Sequence, residues 1–298
     1  MSIKDNISLL ARKNLNQVKD YGYVSMLPMG EKVPKIIHQT YFSTQLPEAI
    51  QANVDKLKAL NPDWEYRFYD DADIDAYVMQ HYPKLFATFK KVNPAYGAAM
   101  ADFFRYLVMY KEGGVYLDIK SSMTKPLNDI VQANDQYVLS YWKNDVGDEM
   151  ENIGKYIDIP DPLGEFQQWY IITVAGHPFL KSVIETVSHN VEHYNPFLNH
   201  GGHLGTFRVT GPIAYTLAIH PLLNQYPHRL ERSNHDIGLI YNIFTKAATH
   251  EHHFLYKTHY SKLKEPLVTP PKWEAPFVNA FLPARNFMIN FYKTFTAK

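Results

Sequence analysis

The feature that most restricts the fold is a pair of adjacent glycines, Gly113-Gly114, set between a helical pattern and a short apolar strand. Upstream, Asn93-Pro94 opens a helix predicted over residues 95–111. The glycines end it because they accept the positive φ that a helix C-terminus asks for. Downstream, residues 114–119 read as a strand. A helix that stops on two glycines and passes straight into an apolar strand folds back beside it.

The same alternation runs through the first 130 residues. Val33-Pro34-Lys35-Ile36-Ile37-His38-Gln39-Thr40 is an apolar run after a proline, the pattern of a buried first strand. Residues 47–60 read as a helix, and Asn61-Pro62-Asp63 breaks it before a second strand, Trp64-Glu65-Tyr66-Arg67-Phe68-Tyr69. Asp70-Asp71-Ala72-Asp73 starts another helix, since acidic side chains cap and complement a helix N-terminus. Strands alternating with helices predict an α/β fold with a mostly parallel sheet flanked by helices. In such sheets ligands collect at the carboxyl ends of the strands, where Asp118 falls.

Beyond residue 130 the pattern is weaker. Strands are expected at 137–141 and 169–174, a helix from His177-Pro178 to about residue 192, and another opening at Gly211-Pro212. Residues 195–207, rich in Asn, Gly and His, read as a mobile loop. Within it Asn199 and His200-Gly201-Gly202-His203 suit either a lid over a substrate, which would exclude water, or an ordinary surface loop. Residues 3–19 carry apolar positions at helical spacing and predict a short amphipathic helix. With no repeat and no clean linker, residues 1–298 are expected to form a single compact unit. It divides into a helical extension (1–30), a ligand-binding part (33–130), a second part (131–264) and a C-terminal extension (265–298).

Bulk properties exclude several classes. Thirty Lys and Arg balance thirty Asp and Glu in the 298 residues, so no global field points to nucleic acid or an anionic membrane. Cysteine is absent, which removes disulfides, thiolate nucleophiles and cysteine-bound zinc. No apolar run approaches the ~20 residues that span a bilayer, and residues 1–24 lack the apolar core of a signal peptide. The expectation is a soluble, cytoplasmic protein.

Chemistry concentrates between residues 101 and 120. Asp102 and Arg105, spaced i, i+3, share a helix face. On a strand, Tyr116, Asp118 and Lys120 point to one side while Val115, Leu117 and Ile119 enter the core. The glycine turn brings Asp102, Arg105 and Asp118 together. Such a group either secures a helix to a sheet by ion pairing or meets a ligand bearing both hydroxyls and phosphates.

Four segments in order carry a resemblance: Val33-Pro34-Lys35-Ile36-Ile37-His38-Gln39, Asn61-Pro62-Asp63-Trp64-Glu65-Tyr66-Arg67, Ala101-Asp102-Phe103-Phe104-Arg105-Tyr106 and Gly113-Gly114-Val115-Tyr116-Leu117-Asp118. Over residues 33–130 the chain resembles glycosyltransferase family 32. These are sugar-transferring enzymes with a DXD motif, among them initiating mannosyltransferases and bacterial capsular polysaccharide enzymes. The resemblance implies a GT-A-type, Rossmann-like fold, a nucleoside-diphosphate sugar donor (UDP- or GDP-linked) and transfer of a hexose with retention of configuration. The acceptor would be a hydroxyl of a glycan, lipid-linked glycan or protein.

By the same resemblance His38, Gln39, Thr40 and Tyr116 lie at the nucleotide sugar, with His38-Gln39-Thr40 beside the base. Asp102 and Arg105 hold the donor sugar and diphosphate, and Asp118 is the first aspartate of the motif. Lys120 stands where the metal-binding aspartate of the motif belongs, and a charged lysine cannot ligate a metal. Two outcomes stay open. Either Mn²⁺ or Mg²⁺ is held by Asp118, a distant histidine and the diphosphate, or the Lys120 ammonium neutralises the diphosphate itself. His259, in His259-Tyr260-Ser261, is the candidate metal histidine; the cluster His250-Glu251-His252-His253 is a weaker zinc pattern.

Glu165, Trp169 and Tyr170 are acceptor-side candidates, because sugars stack on aromatic faces, and are equally suited to the core. Phe287-Met288-Ile289-Asn290-Phe291-Tyr292-Lys293 suits packing against the domain or peripheral contact with a membrane bearing a lipid-linked acceptor. The catalytic set is thus Asp118, Asp102, Arg105 and Lys120. The rival readings are a non-catalytic binder of nucleotide sugars or glycans with a degenerate motif, and a hydrolase on an α/β scaffold. The sequence does not address oligomeric state.

Overall fold

The computed structural model describes residues 15–148, 150–196, 198–199, 201–244, 263–278 and 280–281. Most of the predicted N-terminal helix (3–19), the cluster at 250–253, His259 and the segment 287–293 lie outside the described residues.

Strand β1 (Ile36–Thr40) leads to helix α1 (Glu48–Leu60), then β2 (Glu65–Tyr69), α2 (Asp71–His81), α3 (Pro83–Phe89) and α4 (Gly97–Glu112). Strand β3 (Gly114–Leu117) follows, then β4 (Ser122–Met123), the short helix α5 (Leu127–Ile130), β5 (Tyr137–Ser140) and β6 (Tyr170–Thr173). The chain continues through α6 (Pro178–Glu192), α7 (Gly202–Val209), α8 (Pro212–Ile219), β7 (Arg229–Glu231), α9 (Asn234–Ile237) and β8 (Leu239–Ile240). The fold is α/β: a mixed, mostly parallel sheet of six strands flanked by helices, in the order β2-β1-β3-β6-β5-β7. Pairings β1–β2, β1–β3 and β5–β7 are parallel, whereas β6 runs antiparallel to both neighbours.

Local chemistry explains the elements that carry the site. The Asp70 carboxylate accepts from the amides of Ala72 and Asp73, and Asp73 returns a bond to the Asp70 amide, so a full capping box starts α2. Helix α4 buries Phe103, Phe104, Tyr106, Leu107, Val108 and Met109 completely, as expected of a helix enclosed on nearly every side. Gly113 (φ +69°) and Gly114 (φ +100°) end it. A Cβ on Gly113 would stand 2.6 Å from the Ala175 amide nitrogen, and one on Gly114 would stand 2.6 Å from the Ile36 carbonyl oxygen. Only glycine fits between these two backbones.

Three expectations need correction. The first strand begins at Ile36 rather than Val33, because the Ile36 amide donates to the Pro34 carbonyl in a turn at 2.8 Å. The strand predicted over 114–119 stops at Leu117; the Asp118 carbonyl accepts from the Ser121 amide at 2.8 Å and the chain turns. Asp118 and Lys120 therefore sit on a turn, not on one strand face. Finally, the stretch read as a mobile loop (195–207) runs into α7, whose Gly202 amide donates to the Tyr96 hydroxyl at 2.8 Å.

Candidate active site

The carboxyl ends of β1 and β3 meet the start of β6, where Leu117 pairs with Tyr170. A cavity of about 310 Å³ opens there, lined by residues from Thr40 to Phe42, by α4, by the Asp118–Lys120 turn and by residues from the second half of the chain. Asp102, Arg105, Tyr116, Asp118, Lys120 and Thr40 all line it. Six of the residues picked out by the sequence thus converge on one space.

Arg105 organises the floor. Its Nη2 contacts the Asp118 carboxylate at 3.0 Å and the Asp102 carboxylate at 3.3 Å. Its Nη1 donates to the Gln168 carbonyl at 2.8 Å and to the Gln168 side-chain oxygen at 3.0 Å, and the guanidinium lies 4.7 Å from the centroid of the Tyr116 ring. Burial works against its charge, but the adjoining carboxylates of Asp118 and Asp102 hold its pKa above the ordinary value. The cation is permanent and its fork is fixed in place.

The two aspartates differ in what they can do. Both Asp102 oxygens are engaged: Oδ1 accepts from Gln168 Nε2 and Oδ2 from the Thr210 hydroxyl, each at 3.1 Å. Burial pushes its carboxyl up to about 6, against the pull of Arg105. Asp102 positions Arg105. The Asp118 side chain is 21% exposed, against 7% for Asp102, so of the two Asp118 presents more of itself to the cavity. Its amide donates to the Trp169 carbonyl at 2.8 Å, extending the β3–β6 ladder by one rung. The Tyr116 hydroxyl reaches its Oδ1 at 3.4 Å and Thr40 Oγ1 at 3.1 Å.

Lys120 extends along the cavity wall. Its Nζ donates to the Tyr241 hydroxyl at 3.1 Å and lies 4.4 Å from the centroid of that ring. The Ile243 amide donates to the Lys120 carbonyl at 2.9 Å and β4 pairs with β8, so the strip from Leu239 to Ile243 is fastened to the Lys120 turn.

His38 and Gln39 lie behind the lining. His38 is fully buried between the Tyr69 hydroxyl (3.0 Å) and the Gly113 carbonyl (3.1 Å), and burial lowers its pKa to about 4, so the ring is neutral. Gln39 accepts from the Tyr66 hydroxyl at 2.9 Å and donates to the Asp118 carbonyl at 3.3 Å. Both brace the turn from inside the sheet, and Thr40 is the residue of the three that reaches the cavity. Of the acceptor-side candidates, Glu165 and Trp169 line the cavity, while Tyr170 is buried and donates to the Ser140 hydroxyl at 2.6 Å.

Four residues of the site escaped the sequence reading: Gln168, Thr210, Trp142 and Tyr241. None falls in a periodic pattern or motif. Gln168 is adjacent to Trp169, which is the nearest signal the sequence offered.

The donor set bears on the question of metal. Among the described residues no group of three or more His, Asp or Glu gathers to hold a cation. Asp71, Asp102, Asp118 and Glu165 all line the cavity, with Asp102 and Asp118 paired to Arg105. A divalent ion at Asp118 would need further ligands from a substrate diphosphate, the arrangement in which Mg²⁺ is commonly held.

Residues 47–169 match the family model described as a glycosyltransferase sugar-binding region containing a DXD motif. Among similar proteins, a mannosyl phosphorylinositol ceramide synthase of Saccharomyces cerevisiae is 27% identical over 58% of this chain and 40% of its own length. Inositol phosphoceramide mannosyltransferase 3 of Schizosaccharomyces pombe is 24% identical over 70% of this chain and 54% of its own. An initiation-specific alpha-1,6-mannosyltransferase of Candida albicans is 29% identical over 43% of this chain and 34% of its own. The chain spans roughly a third to a half of the length of these curated relatives. Two solved structures are distantly similar. The PaToxG glycosyltransferase has a TM-score of 0.43 at 15% identity, covering 74% of this chain and 76% of its own. The UDP-bound glycosyltransferase domain of the YGT toxin has a TM-score of 0.47 at 7% identity, covering 68% of this chain and 80% of its own. No helix among the described residues is long and apolar enough to cross a membrane. The matched stretch, residues 47–169, is the part of the chain that carries the Arg105–Asp118 pair and the Lys120 turn.

Proposed function

We propose that the chain is a glycosyltransferase that moves a hexose from a nucleoside-diphosphate sugar to a hydroxyl of a glycan, lipid-linked glycan or protein, with retention of configuration. The observation that carries this reading is the convergence of Arg105, Asp118 and Lys120 on one cavity at the strand ends, inside the family-matched region. The relatives named as mannosyltransferases make a mannosyl donor the first to test.

In the reaction the bond between the anomeric carbon and the diphosphate oxygen breaks, and the acceptor oxygen bonds to that carbon. With the acceptor entering on the leaving-group face, its proton passes to the departing diphosphate and no protein nucleophile is required. Catalysis then rests on positioning and on charge already in place where the diphosphate develops its own. Arg105 and Lys120 supply the positive charge. Asp118, reached by the Tyr116 hydroxyl, orients the sugar or ribose hydroxyls. Asp102, Gln168 and Thr210 keep Arg105 from turning.

The test is nucleotide release and sugar transfer across a panel of UDP- and GDP-sugars, with wild type and Asp118→Asn. The variant is expected to keep its fold and to lose turnover by about 10²-fold or more. Near wild-type turnover would refute the assignment. Nucleotide affinity with neither release nor transfer in wild type would favour the non-catalytic binder instead.

A further inference from the structure

Among the described residues three Trp and Phe side chains are exposed, and they stand together: Trp273 (72%), Phe277 (63%) and Phe281 (60%). The spacing of four residues sets them along one side of a helical stretch. In it the Ala275 amide donates to the Pro271 carbonyl at 3.1 Å and the Val278 amide to the Glu274 carbonyl at 3.0 Å. Val278, 1% exposed, packs inward from the other side.

The residues just before this stripe are fastened beside the cavity. Val92 and Val268 form an antiparallel bridge. The Asn93 amide donates to the Leu267 carbonyl and the Thr269 amide to the Lys91 carbonyl, each at 2.8 Å, and the Tyr96 hydroxyl donates to the Glu265 carbonyl at 2.7 Å. Between Val92 and Tyr96 lie Pro94 and Ala95, which are exposed and also line the cavity, and so stand at its mouth. The aromatic stripe is carried on the backbone that braces that mouth.

A contiguous row of solvent-facing aromatic rings marks a surface that another body covers. Composition favours a lipid surface. After Glu274 no acidic residue occurs as far as residue 298, while Arg285, Lys293 and Lys298 are interspersed among Phe287, Phe291 and Phe295. The overall charge balance of the chain thus conceals a local excess of cations on its most aromatic stretch. Aromatic rings settle at the headgroup level of a bilayer, and nearby cations are drawn to anionic headgroups. A second copy of the chain would bring the same excess of cations to the contact and oppose it. We propose that the stripe of Trp273, Phe277 and Phe281 docks on the surface of an anionic phospholipid bilayer and holds the cavity mouth beside that surface. A stripe of this length lies on the bilayer, since crossing one takes about 20 apolar residues.

The chain carries its own reporter, because Trp64, Trp142 and Trp169 are each at most 8% exposed and Trp273 is the exposed indole of the four. The whole chain is mixed with vesicles of equal parts phosphatidylcholine and phosphatidylglycerol, or of phosphatidylcholine alone, and bound protein is separated by flotation. Binding to the mixed vesicles is expected to be about tenfold or more stronger than to phosphatidylcholine. Trp273 emission should shift to the blue on binding and be quenched by brominated acyl chains. The triple variant Trp273→Ser, Phe277→Ser, Phe281→Ser should bind at least about tenfold more weakly with an unchanged Tm, since all three side chains face solvent. Trp273→Phe should keep the binding and lose the quenching, which tests the docking face without disturbing the fold. No flotation of wild type, equal binding to both vesicles, binding retained by the triple variant, or bound protein whose Trp273 escapes quenching would each overturn the proposal. So would a lipid-free wild type in which Trp273 is shielded from acrylamide, because the stripe would then be covered by the chain itself or by a second copy. None of these readings needs a sugar donor, so the docking surface stands or falls apart from the transferase reading.

Discussion

Replacing Glu165 by Gln should make the protein more stable, and by an amount that depends on pH. An ordinary glutamate titrates at 4.5, while burial pushes this one up to about 8, with the Trp142 N–H pulling the other way. A carboxyl with a raised folded-state pKa favours the fold fully below 4.5, and that contribution is lost as pH rises through 8. Each tenfold in proton affinity is about 1.4 kcal/mol. The penalty carried by wild type is then about 1 kcal/mol at pH 5, about 3 at pH 7, and approaches about 5 above pH 8. Glutamine has the same shape and never ionises, and it can still accept from Trp142 Nε1. Any constant difference between the two side chains shifts the whole series without changing its slope. Urea unfolding of both proteins at pH 5, 6, 7 and 8 reads the difference directly. With an m-value of about 3 kcal/mol/M, the gap between midpoints should widen by roughly 0.7 M from pH 5 to pH 7. Other titrating groups cancel because they are common to both proteins. A gap that stays flat across this range would refute the argument, since it would mean that Glu165 is ionised in the fold.

Two further outcomes follow from the geometry. Gly114→Ala places a Cβ 2.6 Å from the Ile36 carbonyl oxygen at a φ of +100°, so it should cost more than about 2 kcal/mol, seen as a drop in Tm of at least about 4 °C; an unchanged Tm would show that the turn can relax. Lys120→Met keeps the methylene stem against Tyr241 but removes the charge, and should weaken nucleoside-diphosphate binding about tenfold or more in calorimetry with chelator present. Unchanged affinity there, or wild-type binding that appears only when Mn²⁺ is restored, would move the diphosphate from the lysine to a metal.

The first half of the chain was legible because its signals are local. The Asp70 capping box, the break at Asn61-Pro62-Asp63 and the glycine pair each act within a few residues, and they place Arg105, Asp118 and Lys120 near one cavity. What failed there was regularity: the reading extended β3 through Ile119, whereas the Ser121 amide bonds back to Asp118 and turns the chain. The cavity still receives Lys120, by way of a turn. The far wall was illegible for a different reason. Thr210 meets Asp102 across 108 residues and Tyr241 meets Lys120 across 121. Such pairings are set by the closure of the whole sheet and leave no periodicity in the sequence. Glu165 and Trp169 were visible only as residue types suited to sugars, and nothing local separated them from Tyr170, which faces the core.

The glycine pair also sets how closely the two halves of the charged floor are joined. The backbone of Ile36 lies against one side of the turn and that of Ala175 against the other, with no room for a side chain between them. The helix that carries Arg105 and the strand that leads into Asp118 therefore meet through bare backbone, and a single methyl group at either glycine would have to part the two elements that bear the ion pair.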